Sequence, residues 1–175
     1  MKNKIYGPVS VFLLAFTFLN ARAADKISIT IGGKTISAFR TADLAGAKQE
    51  AAAARKPIAW IASAPKLLDG TGNISLENSR GATLHAFFAL RDKAVLVFED
   101  AFAENHKVLP LVDDAMHTPD PHYTPPKIVF LNSGATEVLA KVEYEPDFAK
   151  RAHALADALN QVKEKLNHAP DAAKK

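Results

Sequence analysis

Lys56-Pro57-Ile58-Ala59-Trp60-Ile61-Ala62-Ser63-Ala64-Pro65-Lys66 decides the fold of this 175-residue chain. Ile58 to Ala62 is an unbroken apolar run held between a proline and a serine. A run this short, without polar alternation, suits a strand buried on both faces, as parallel strands between helices are. Ala94-Val95-Leu96-Val97-Phe98 and Ile128-Val129-Phe130-Leu131 have the same character. Buried strands separated by helical stretches predict an α/β domain.

Working outward, residues 42–55 are dense in Ala, Lys, Gln and Glu, and predict a helix capped by Thr41 and stopped by Pro57. Before it, Lys26 to Ile31 and Lys34 to Phe39 flank Gly32-Gly33, a hairpin signal. After the central strand, Asp69-Gly70-Thr71-Gly72-Asn73 predicts a break. A helix over 76–92 follows, with Leu84, Phe87, Phe88 and Arg91 at helical spacing. The stretch 102–117 reads as helical, broken or restarted at Pro110. Asn132-Ser133-Gly134 reads as a turn into a strand over 136–144, with Val138, Ala140, Val142 and Tyr144 on one face. Pro146 is placed to open a last helix, with Phe148, Leu155, Leu159, Val162 and Leu166 as its apolar stripe.

The expected order is β-α-β-α-β-α-β-β-α in one domain over 24–167, with a short polar tail over 168–175 expected to be disordered. Residues 1–23 read as a secretory signal: Lys2 and Lys4, then an apolar stretch from Val11 to Leu19, then Ala21-Arg22-Ala23. The apolar stretch is shorter than the roughly 20 residues of a membrane span. The expected location is therefore periplasmic or secreted, with cleavage near Ala23 and no membrane span afterwards. The formal charge of +3 resides in Lys2, Lys4 and Arg22, so the remaining chain is balanced. Without a clustered basic face, no nucleic-acid partner is expected. The chain has no cysteine, which excludes disulfides, thiolate zinc sites and a cysteine-linked lipid anchor. A monomer without cofactor is expected.

Three local patterns resemble the thioredoxin-like superfamily over nearly the whole chain beyond residue 23. Ala47-Lys48 through Lys56-Pro57-Ile58 is similar to that family's approach to its central strand. Trp60-Ile61-Ala62-Ser63-Ala64-Pro65-Lys66 resembles the strand followed by C-x-P-C, with Ser63 and Lys66 where the cysteines would stand. Thr124-Pro125-Pro126-Lys127-Ile128-Val129-Phe130 is similar to the cis-proline loop, with Pro126 at the cis position. The resemblance implies a three-layer α/β/α sandwich around a mixed sheet. Thiol–disulfide exchange needs an attacking thiolate and a resolving thiol. Serine supplies neither, so a redox-inactive member is expected, one that is not a thiol–disulfide oxidoreductase.

In α/β folds, ligands bind beyond the C-terminal ends of the parallel strands. That edge should gather Ser63, Ala64, Pro65 and Lys66 near Glu99 and Asp100, with Pro125 and Pro126 opposite. The functional reading is a groove where an extended exported protein or peptide pairs with backbone groups; the bland reading is a retained turn without a ligand. A Ser63 nucleophile with Lys66 as base is a more distant reading, and no motif supplies an oxyanion hole. The alternative function is metal binding by His117 and His122, with Asp114 beside them, since imidazole and carboxylate bind zinc or copper without thiolates. Solvated loop histidines are the bland counterpart. Trp60, Phe87 and Phe88 read as core, and Glu137, Lys141 and Glu143 as a solvated strand face.

Overall fold

A computed structural model describes residues 25–31, 34–64, 79–103, 108–119 and 124–168. The signal over 1–23, the glycine pair at 32–33, the break at 69–73 and nearly all of the tail lie outside the described residues. Among the described residues, six strands and four helices follow one another, one strand more than the expected order because the first hairpin contributes two: β1 (Lys26–Ile31), β2 (Lys34–Arg40), α1 (Leu44–Ala54), β3 (Ile58–Ser63), α2 (Ser79–Leu90), β4 (Val95–Asp100), α3 (Pro110–His117), β5 (Lys127–Leu131), β6 (Val138–Val142) and α4 (Phe148–His168). The strands form one mixed sheet in the order β1-β2-β4-β3-β5-β6. β2, β4 and β3 run parallel. β1 is antiparallel to β2, β5 to β3, and β6 to β5.

Helices cover both faces, and the alternation of side chains along each strand divides the core in two. Ala59, Ile61, Leu96, Phe98, Ile128 and Phe130 pack with residues of α2 and α4. Ile58, Trp60, Ala62, Val97, Val129 and Leu131 pack with residues of α1 and α3. Every residue of β3 and β5 is buried. The double burial predicted from the unbroken apolar runs is therefore present.

Element ends differ from the sequence reading in instructive ways. α1 begins after a single 3-10 turn over Thr41–Asp43, and its cap is Asp43 rather than Thr41. Asp43 Oδ1 accepts from the Gly46 amide at 3.1 Å. A Cβ on Gly46 would lie 2.8 Å from Asp43 Oδ2 and 2.9 Å from Phe39 Cε1, so the cap and the β2 contact both use the missing side chain. Of the helix expected over 102–117, the described residues show the part from Pro110, with proline in its first turn; Ala101 and Phe102 form a turn instead, and residues 104–107 lie outside the described residues. After β5, the left-handed residue is Ala135, at φ 53°, and not Gly134. Asn132 makes this possible by accepting from the Thr136 amide with its side chain while its carbonyl accepts from Ala135 N.

α4 buries Arg151, Leu155, Ala158 and Val162. Phe148 (42 %) and Leu166 (39 %), expected in its apolar stripe, are exposed. Both sit at the helix ends, beyond the part whose residues join the α2-side core. Arg151 occupies the vacant turn near the helix start: its Nη1 donates to Glu145 O at 2.5 Å and to Pro146 O at 3.1 Å.

Candidate functional site

β3 lies between β4 and β5, so the ends of β3 and β4 share an edge with the start of β5. Ser63 is in register with Asp100, and Ala62 with Glu99 on one side and Lys127 on the other. Pro126 directly precedes Lys127, and the Pro125–Pro126 bond is cis. The fold thus brings Ser63, Ala64, Glu99, Asp100, Pro125 and Pro126 to one end of the sheet. Pro65 and Lys66 lie outside the described residues.

The described side chains at this edge do not form an open polar mouth. Ser63, Ala64, Glu99 and Pro126 are buried, and Asp100 and Pro125 half-buried. Ser63 Oγ lies 2.7 Å from Thr83 Oγ1, and Thr83 Oγ1 donates to Ser79 O at 2.8 Å. Since the carbonyl only accepts, the Thr83 proton is committed to it, and the Ser63 hydroxyl must be the donor to Thr83. Ser63 is therefore a buried bracket between β3 and α2, not an exposed hydroxyl facing a base.

Glu99 points to the opposite face of the sheet, where Trp60 Nε1 donates to its Oε2. Lys127 is on that same face and fully buried. Its ammonium donates to Met116 O at the end of α3 and pairs with Glu143 Oε2 at 2.9 Å. The buried ends of the strands thus hold polar groups that are answered inside the protein, as burial requires. Period-two alternation through β5 already carries the signal for Lys127, because it shares a face with Val129 and Leu131.

Backbone chemistry limits strand pairing here. Pro125 and Pro126 lack amide hydrogens, so they offer carbonyl acceptors only. Ser63 O is occupied by Ala101 N at 2.8 Å. The same turn presents the most exposed large apolar side chain among the described residues, Phe102 at 65 %. It is fixed twice: Asp100 Oδ1 accepts from Phe102 N at 3.0 Å, and Asp100 O from Ala103 N at 3.2 Å. Sequence reasoning assigned Phe102 to a helix and missed it; the cue was Glu99-Asp100 ending an apolar run, since aspartate favours the first turn position.

His117 ends α3, its Nδ1 lying 3.0 Å from Asp113 O and 3.1 Å from Asp113 Oδ1. Asp114 is exposed one residue later, and His122 lies outside the described residues. Among the described residues, no three His, Asp or Glu side chains gather closely enough to hold a metal ion. No described helix is long and apolar enough to cross a membrane. The chain matches no protein-family model and no curated protein.

Proposed function

We propose that the chain is an exported, redox-inactive thioredoxin-like domain that binds an extended protein or peptide segment of the cell envelope. The fold part of this reading is supported by the order β2-β4-β3-β5-β6, with parallel strands at one side and antiparallel strands at the other. The signal-like first 23 residues support export. The lack of cysteine rules out the thiol chemistry.

The observation that carries the binding role is Phe102. An aromatic side chain held in water by a doubly bonded turn costs little further ordering when a partner covers it, and such residues dominate interface energetics. Pro125 O, a half-buried residue's carbonyl at the same edge, supplies an acceptor for a partner amide.

The test is capture from envelope extract by the protein, by Phe102→Ser and by Asp100→Ala, each first checked for native circular dichroism. A partner retained by the unaltered protein and lost from both folded variants supports the reading. A partner retained equally by all three refutes the edge as the site.

A further inference from the structure

β6 is the last strand of the sheet, and among the described residues no strand lies on its outer side. α3 and α4, which belong to opposite faces of the sheet, both touch it. A groove of about 510 Å³ follows this edge between the two helices. Leu111, Ala115 and Val138 line it as partly buried apolar residues, and Asp114, Lys141 and Lys165 as exposed charged ones.

The charges select the occupant. Lys165 makes no ion pair among the described residues; its ammonium rests on Val138 O, a backbone acceptor of β6, at 3.3 Å. Lys141 donates to Thr118 O and lies 3.4 Å from Glu143, whose carboxylate is closer to the buried Lys127. Neither lysine is paired with Asp114. The groove lining therefore holds two cations against one carboxylate, Lys165 resting on a carbonyl and Lys141 on a carbonyl and on Glu143, which it shares with Lys127. A second copy added across this edge would set these lysines against their own like, which disfavours it. A strand carrying carboxylates would draw Lys165 off Val138 O, pair with both cations and free the carbonyl for a backbone amide.

We propose that this groove takes an extended acidic segment of a partner protein as a seventh strand beside β6, its carboxylates paired with Lys141 and Lys165. One face of such a strand would meet Leu111 and Ala115, and the other the α4 side, which is the geometry of strand addition. The proposal does not depend on Phe102 or on the other edge.

The probe is a labelled heptapeptide, Glu-Val-Thr-Glu-Val-Thr-Val, whose two glutamates fall on opposite faces of a strand, beside the same peptide with lysine for each glutamate. Anisotropy gives affinity, and amide hydrogen exchange gives location. The acidic peptide should bind at least about tenfold more tightly than the basic one. Exchange should slow in Val138–Val142 and not in β1, the opposite edge. Lys141→Glu with Lys165→Glu should reverse the preference, while Phe102→Ser should leave it intact. Should the charge-reversed protein lack native circular dichroism, Lys165→Gln alone should weaken the acidic peptide by about threefold. Absence of binding at about 1 mM, equal affinity for the two peptides, protection at β1 instead, or a dimer that already buries β6 each overturns the proposal.

Discussion

The Trp60 indole N–H donates to Glu99 Oε2 between two side chains that are both out of solvent, Glu99 lying two residues beyond Val97, the register partner of Trp60 on β4. A carboxylate at the end of a parallel strand thus faces inward, toward α1 and α3, and its bond to the indole is part of what holds it there. Trp60→Phe keeps an aromatic ring but removes the donor. It should cost about 1–3 kcal/mol, the range for a buried polar group that loses a partner. Glu99→Gln should cost less, because the amide oxygen still accepts. Urea unfolding of the three proteins checks this, and a larger loss from Glu99→Gln than from Trp60→Phe would show that charge rather than the indole bond dominates.

Lys127 and Glu143 form an unequal pair. The lysine is 0 % exposed and the glutamate 51 %. Removing Glu143 leaves an ammonium inside the protein with a partner lost, whereas removing Lys127 leaves Glu143 exposed to water and beside Lys141. Glu143→Gln should therefore destabilise by about 1–3 kcal/mol. Adding Lys127→Met to Glu143→Gln should recover part of that loss, since a buried pair replaced by apolar volume is often neutral. Denaturant midpoints of the two single variants and the double variant measure the coupling. Additive losses would mean that the two charges do not interact.

What the sequence discloses here is governed by burial. β3, β4 and β5 are legible because strands enclosed by helices on both faces need unbroken apolar runs, and Ile58–Ala62 or Val95–Phe98 have few other readings. The cap at Asp43 is less legible than Thr41, because the choice between them depends on where Phe39 meets Gly46. Arg151 is illegible in the stripe of α4, since its burial depends on the carbonyls of Glu145 and Pro146 that the turn happens to aim at it. At the candidate edge, sequence order placed Ser63, Glu99, Asp100 and Pro126 together, and the register agrees. It could not show that Ser63 and Glu99 turn inward to opposite faces, nor that Phe102 turns outward.

The Ser63–Thr83 bracket predicts an asymmetry that a nucleophile would not show. Ser63→Ala leaves Thr83 bonded to Ser79 O and should cost about 0.5–1.5 kcal/mol. Thr83→Val strands the Ser63 hydroxyl without its acceptor in a buried site, so it should cost more, about 1–3 kcal/mol. Chemical denaturation checks the order. The reverse order would place the Ser63 proton elsewhere. Neither change should alter any ester hydrolysis measured with the protein, because the Ser63 hydroxyl is enclosed.

His85 gives the fold a dependence on pH whose direction follows from its surroundings. Burial, and after it the Arg151 guanidinium, hold its pKa below the ordinary 6.5. Arg151 Nε lies 3.2 Å from His85 Nδ1, so the neutral ring accepts this bond, and the Phe148 ring stands 4.6 Å away. Well above 6.5, the ring is neutral in both folded and unfolded chains and the group adds no pH dependence. As pH falls through 6.5, the unfolded chain takes up the proton first, so stability drops, and the loss levels off below the depressed folded pKa. His85→Gln retains an acceptor for Arg151 and does not titrate. Urea midpoints measured from about pH 8 to about pH 5 should fall more steeply for the unaltered protein than for His85→Gln. The contrast isolates this ring, because the substitution replaces no other titratable group. Parallel curves would mean that His85 is protonated as readily in the folded chain as in water, and that the Arg151 contact does not oppose it.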